Sequence, residues 1–364
     1  MIINKLFEFI IQNNFSDMHI WENRNVYIRD KIWNIEKLNT LIKISDILDF
    51  AKSVLTEEKY SELNTGIEVD SWLSYLENRF RLNFYYDREW LNVAIRKILS
   101  TPPNIEEVWI PPNLKKHFLK SKWLILVTWP TWSWKSTTLA AIVRYINENK
   151  KAHIITLEDP VEYIHESNKS RIVQREVWRN TSSWLNGIKY ALRQDPDVIV
   201  VWEMRDYETI GAAITLVETG HLVLSTLHSI DTVQTVTRII DSFPYPQQPQ
   251  IWIQLSMALE MIISQRLVAK ADWNGKVAVR EVLVNNSAIA NIIREKKLAN
   301  LYGVLETHSK DGMITMEAAL AKLVIYWTVK YDEVVWHIKN VENFQMLLNF
   351  YNQVKSNELV TTWK

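Results

Sequence analysis

Glycine is scarce in this chain: there are 7 among 364 residues, where about 7% is usual. Turns and close backbone approaches must then be made by residues that carry a Cβ. Cysteine is absent, which excludes disulfides, thiol catalysis and cysteine zinc sites. Charge of one sign is lacking too, since 42 Lys and Arg balance 42 Asp and Glu and the pI is about 7.1. That balance gives no global steering towards nucleic acid or an anionic membrane. No run reaches the roughly 18 apolar residues of a membrane span. The opening MIINKLFEFIIQNN lacks a signal-peptide layout and sets Ile2, Ile3, Leu6, Phe9 and Ile10 at helical spacing instead. The expectation is a cytoplasmic protein that meets a membrane only through a partner.

Tryptophan, by contrast, is abundant at 17, and its placement is informative. Residues 128–137 read Thr128-Trp129-Pro130-Thr131-Trp132-Ser133-Trp134-Lys135-Ser136-Thr137. The phosphate-binding loop follows G-x-x-x-x-G-K-[ST]. Lys135 and Ser136 fit its end, while Trp129 and Trp134 stand in its two glycine slots. Glycine is required there because backbone N–H groups must curl round phosphate and approach it closely. Two readings follow. Either the loop is degenerate, or these tryptophans are glycines in the organism. Some bacterial lineages read the codon UGA as glycine, and another translation code renders it tryptophan. Taken together, the two residue types reach the roughly 7% usual for glycine. We expect glycine at 129, 132 and 134.

Apolar strands and helices alternate around this loop. Leu124–Val127 leads into it, and Lys135 to Tyr145 has the pattern of the helix after it. Ala152–Leu157, Val198–Val201 and Leu222–Ser225 are further apolar strands, with helical stretches near Leu185–Gln194 and Glu208–Glu218. This pattern predicts a parallel sheet covered on both faces. Upstream, Asp46–Leu55 is periodic as a helix and Arg79–Tyr85 alternates as a half-buried strand. Prolines at 102, 103, 111 and 112 bracket a linker, and the chain beyond about 271 reads as mostly helical.

With glycine restored, the loop 129–134 would place amides on phosphates at a helix N-terminus. Lys135 would bridge the β- and γ-phosphates, and the Ser136 hydroxyl would bind Mg²⁺. Glu203 follows the strand Val198–Val201 and could polarise an attacking water; a surface acid after a core strand is the plainer reading. Glu158 ends another strand and could hold Mg²⁺ through water, or simply be a solvated acid. His221 and His228 flank one strand seven positions apart, at its opposite ends, so they share no metal.

In order and spacing, the loop, TLEDPVEY, DPDVIVVWEMRD and ETGHLVLSTLH resemble the type II/IV secretion and type IV pilus ATPases, within them the twitching-motility retraction branch. Ser16–His19, RFRLNFY, Gln174–Val177, Phe243-Pro244 and Ile263–Leu267 match as well. The resemblance implies an α/β protein: a PAS-like α+β domain over 1–100, a linker over 101–120, a RecA-like P-loop ATPase core over 121–270, and a helical C-terminal region over 271–364. It implies ATP and Mg²⁺ as ligands, with Lys135, Ser136 and Thr137 in the nucleotide loop. Glu158 resembles the acidic-box carboxylate, Glu203 the catalytic base and His228 the γ-phosphate sensor. Arg238 occupies the position of an arginine that follows the histidine box. Arg79 and Arg81 resemble arginines that reach nucleotide between neighbouring subunits. The implied assembly is a homo-hexameric ring. It works with an inner-membrane platform protein and the pilus machinery at the cytoplasmic face, without nucleic acid and without a membrane span of its own.

Trp123, Trp129, Trp132, Trp134, Trp178, Trp202, Trp273 and Trp327 fall where the family has glycine, as do Trp90 and Trp109; Trp184 falls where it has an aromatic. Ala290 stands where the retraction signature has its first arginine, which leaves an accessory retraction role open. Two other readings remain at this stage: a non-catalytic ring subunit if the tryptophans are real, and a RecA-like nucleic-acid translocase, which the neutral charge opposes.

Overall fold

A computed structural model describes residues 2–13, 15–30, 34–88, 90–98, 101–128, 135–272 and 275–362. The chain divides into two compact units, Met1–Thr101 and Pro102–Lys364.

The first unit is a six-stranded antiparallel sheet backed by helices. Its elements are α1 (Ile2–Asn13), β1 (Asp17–Trp21), β2 (Asn25–Arg29), β3 (Ile35–Leu41), α2 (Ile44–Val54), α3 (Glu57–Asn64), β4 (Val69–Tyr75), β5 (Asn78–Asp87) and β6 (Trp90–Ile98). The strand order is β3-β2-β1-β6-β5-β4. Helix α1 buries Ile3, Leu6, Phe7 and Ile10, the stripe expected of an amphipathic helix. Phe7 meets Phe80 of β5 edge-on at 4.7 Å. Strand β5 alternates as its sequence suggests: Phe80, Leu82 and Phe84 are buried. Arg79, Arg81 and Asn83 therefore share the other face.

The second unit carries the parallel sheet. It runs α4 (Lys115–Phe118), β7 (Trp123–Thr128), α5 (Lys135–Asn149), β8 (His153–Glu158), β9 (Arg171–Glu176), α6 (Trp184–Ala191), β10 (Val198–Val201), α7 (Tyr207–Glu218), β11 (Leu222–Leu227), α8 (Thr232–Asp241), α9 (Gln248–Ala258), β12 (Leu259–Ala269) and β13 (Lys276–Val284). The order is β13-β12-β7-β11-β10-β8-β9. All neighbours are parallel except β13, which pairs antiparallel with β12. Strands β10 and β11 are buried at every residue, as a sheet covered on both faces requires. Helices α10 (Ser287–Arg294), α11 (Leu301–Thr307), α12 (Met316–Ile325), α13 (Tyr331–Val334) and α14 (Val341–Thr362) follow.

One segment departs from the sequence reading, and the mostly helical region beyond 271 carries one strand that the reading did not place. The segment 101–120, read as a linker, folds onto the second unit, where Ile105, Val108, Ile110, Leu114 and Phe118 join its core. The region after 271 begins with a strand, β13, before its helices. Its central Arg280 and Glu281 are buried because the Arg280 guanidinium donates to the Val108 and Trp109 carbonyls, while Glu281 accepts from Thr232.

The backbone also separates the tryptophans. Gly66, Gly220, Gly275 and Gly312 adopt φ between 87° and 102°. Trp109, Trp123, Trp178 and Trp327 take positive φ as well, at 60°, 139°, 69° and 57°. Only a few per cent of non-glycine residues do so. Helices α7 and α12 show the equivalence directly. After α7, the Gly220 N–H donates to Val217 O and His221 N–H to Leu216 O, the Schellman cap with glycine in its left-handed position. After α12, Trp327 N–H donates to Val324 O and Thr328 N–H to Leu323 O. Trp327 occupies the glycine position of the same motif and is 79% exposed, so no packing offsets the strain.

Candidate active site

Register brings the candidate residues to one edge of the sheet. Val201 of β10 lies opposite Leu157 of β8 and Ser225 of β11, and Leu227 lies opposite Thr128 of β7. The residues just beyond these strands therefore share the carboxyl edge, where open α/β sheets bind ligands. Glu158 ends β8, Glu203 follows β10 by two residues, and His228 follows β11 by one. Lys135 opens α5. Trp129, Pro130, Thr131, Trp132, Ser133 and Trp134, which join β7 to α5, lie outside the described residues.

Glu203 and His228 meet. The imidazole Nε2 is 3.0 Å from Glu203 Oε1, and Arg205 Nη2 is 2.8 Å from Oε2. Arg238, reaching across from α8, donates to the His228 carbonyl at 2.7 Å and so braces the loop carrying the histidine. A carboxylate with both oxygens engaged has a fixed orientation, which general-base chemistry needs. His221, at the opposite end of β11, contacts Thr219 and the Leu216 carbonyl instead.

Glu158 is fully buried. Thr156 Oγ1 donates to its Oε1 at 2.6 Å and Gln174 Nε2 at 2.9 Å. Its Oε2 is buried and meets no hydrogen-bond partner among the described residues. Burial pushes the carboxyl up to about 7, against the pull of the Thr156 and Gln174 donors. Ser136 is buried at the start of α5, and the neighbouring Thr137 hydroxyl lies 2.8 Å from the Tyr163 hydroxyl. Burial holds that phenol up at about 12.

Arg79 and Arg81 belong to the first unit. The Arg81 guanidinium is 2.9 Å from Asp70, and both arginines lie over the Trp72 ring, at 5.7 and 5.9 Å. The residues that motif reading passed over are Thr156, Tyr163, Gln174 and Arg205. None is charged and buried together, and only tertiary contact reveals them. All four fell within segments the resemblance singled out.

A largely parallel sheet in which β7 precedes a Lys-Ser helix start, and β8, β10 and β11 lead at the same edge to Glu158, Glu203 and His228, defines a P-loop ATPase core. Residues 105–319 match the family model of the Type II/IV secretion system protein. A twitching motility protein of Neisseria gonorrhoeae is 43% identical over 281 residues, covering 77% of this chain and 75% of that protein. The type IV pilus retraction ATPase PilT of Pseudomonas aeruginosa is 35% identical over 346 residues, covering 94% of this chain and all of that one. A crystal structure of the pilus retraction motor PilT with bound ADP superposes with a TM-score of 0.85 at 36% identity, covering 94% and 98% of the two chains. The chain belongs to the type II/IV secretion system protein family. Among the described residues, no helix is long and apolar enough to cross a membrane.

Proposed function

We propose that this chain is an ATP-hydrolysing motor of type IV pilus retraction. It acts as a homo-hexameric ring on the cytoplasmic face of the inner membrane, against a platform protein and the pilus machinery. The observation that carries the reading is the meeting of Glu203 and His228 at the sheet edge where α5 begins, with Glu158 ending the second strand along. The relatives' retraction activity points the same way.

In this reading, with glycine at 129, 132 and 134, the segment 129–134 and Lys135 would hold the phosphates, and Ser136 and Thr137 would supply hydroxyls. Glu203 takes a proton from the attacking water, held in place by His228 and Arg205. His228 senses the γ-phosphate, and Arg238 keeps the His228 loop rigid. The donor set suits Mg²⁺, a hard cation that prefers oxygen and keeps part of its water shell. Ser136 offers a hydroxyl, and Glu158 a buried carboxylate oxygen that meets no hydrogen-bond partner among the described residues. When bound, the ion would neutralise charge on the phosphates. Arg79 and Arg81 would act on a neighbour's nucleotide.

Two substitutions in a protein with glycine at 129, 132 and 134 test this reading. Lys135→Ala should abolish nucleotide binding or turnover. Glu203→Ala should keep binding, measured by calorimetry, and lose hydrolysis. Equal hydrolysis by parent and Glu203→Ala would remove Glu203 from the mechanism.

A further inference from the structure

Gln174 sits on β9, the edge strand beside β8, opposite Thr156. Its amide is used at both ends. Nε2 donates to Glu158 Oε1 at 2.9 Å and to the Tyr163 carbonyl at 2.8 Å. Oε1 accepts from the His165 N–H at 2.9 Å. One side chain thus ties the end of β8 to the segment 163–165. Through the Tyr163 hydroxyl on Thr137, the same chain of contacts reaches the first turn of α5.

The consequence for Glu158 is directional. Thr156 and Gln174 both donate to one oxygen, Oε1, and the buried Oε2 meets no partner among the described residues. A carboxylate fixed through one oxygen presents the other in one orientation. Removing the Gln174 donor loosens the hold on Oε1 and leaves a buried acceptor less well satisfied, which costs more than the bond itself was worth. Groups that orient a metal-binding carboxylate in this way typically set metal affinity within 10–100-fold.

We infer that Gln174 is a positioning residue, which orients Glu158 towards the hydrated Mg²⁺ of the bound nucleotide. The inference rests on the reading of Glu158 given above. It assigns Gln174 no contact with nucleotide. Its effect therefore passes through Glu158 and appears only when the metal is present.

The test uses the full chain with glycine at 129, 132 and 134, and ADP with MgCl₂ as the probe. Calorimetry gives the Mg²⁺ concentration for half-maximal ADP binding, and a second titration in EDTA gives metal-free affinity. Gln174→Leu should raise the Mg²⁺ requirement by about tenfold or more and leave the EDTA affinity unchanged. Gln174→Met, closer in length, serves as the second variant should leucine unfold the protein. In a Glu158→Gln background the same substitution should add nothing, because two residues acting on one function are not additive. An unchanged Mg²⁺ requirement overturns the inference. So does a loss of equal size in EDTA, or one that persists undiminished in Glu158→Gln, since either marks a purely structural role. A parent that binds no ADP under any condition overturns the functional reading and this inference with it.

Discussion

Trp327 holds its backbone at φ 57° with its indole in solvent. For an L-residue that conformation costs roughly 1–2 kcal/mol, and glycine takes it freely. Trp327→Gly should therefore raise stability by about 1 kcal/mol in urea unfolding, although most core-distant substitutions change little. A loss of that size would mean that the indole makes a contact worth more than the strain. The same logic applies to Trp109 and Trp178, and it bears on what the organism makes. We propose that these tryptophans, with Trp123 and the three in the phosphate loop, are glycines in the native protein. Peptide mass spectrometry of protein from its own host should find glycine at 109, 123, 129, 132, 134, 178 and 327. Tryptophan at those positions would end the recoding proposal.

At the scale of elements, the segment between β8 and β9 offers a measurable signature. His165 is buried there, and burial, with Arg144 nearby, pulls its imidazole down to about 4. The unfolded chain protonates near 6.5. Between those values the unfolded state binds the extra proton, so this contribution to stability is complete above about pH 6.5 and is lost as pH falls towards 4. Urea unfolding should show a loss reaching a few kcal/mol over that window, flattened in His165→Gln. An identical slope in the variant would show that other groups carry it. The elements differed in how openly the sequence declared them. Strands β8, β10 and β11 are short apolar runs, and that unbroken apolar character alone placed them. Strand β13 escaped because Arg280 and Glu281 look like surface residues until their buried partners are known. The segment 101–120 escaped because its prolines mark turns but say nothing of Ile105 or Phe118 packing on the core. At the candidate site, Glu158, Glu203 and His228 drew notice because each ends or closely follows an apolar strand, while the roles proposed for them came from the family resemblance. Gln174 lay in a matching segment, but a neutral amide has no spacing rule, so its contacts with Glu158 and residues 163–165 appear only in the fold.

At the scale of the whole molecule, the account needs subunits that complete one another. Arg81 is paired with Asp70, but the pair is about half exposed, and such pairs contribute only about 0–1 kcal/mol. Exchanging Asp70 for a neighbour's phosphate is therefore inexpensive. If Arg81 serves the adjacent site, mixing glycine-containing Arg81→Ala and Glu203→Ala subunits should restore part of the hydrolysis that each lacks, because some interfaces then carry both intact groups. Mixed rings that assemble yet recover nothing at any ratio would confine Arg81 to its own unit. All of this depends on the phosphate loop being able to receive a nucleotide. The most direct measurement is calorimetric titration of ATP–Mg²⁺ into two forms of the full chain, one with glycine and one with tryptophan at 129, 132 and 134. The account predicts micromolar binding by the glycine form and none by the tryptophan form; binding by the tryptophan form, or by neither, would contradict it.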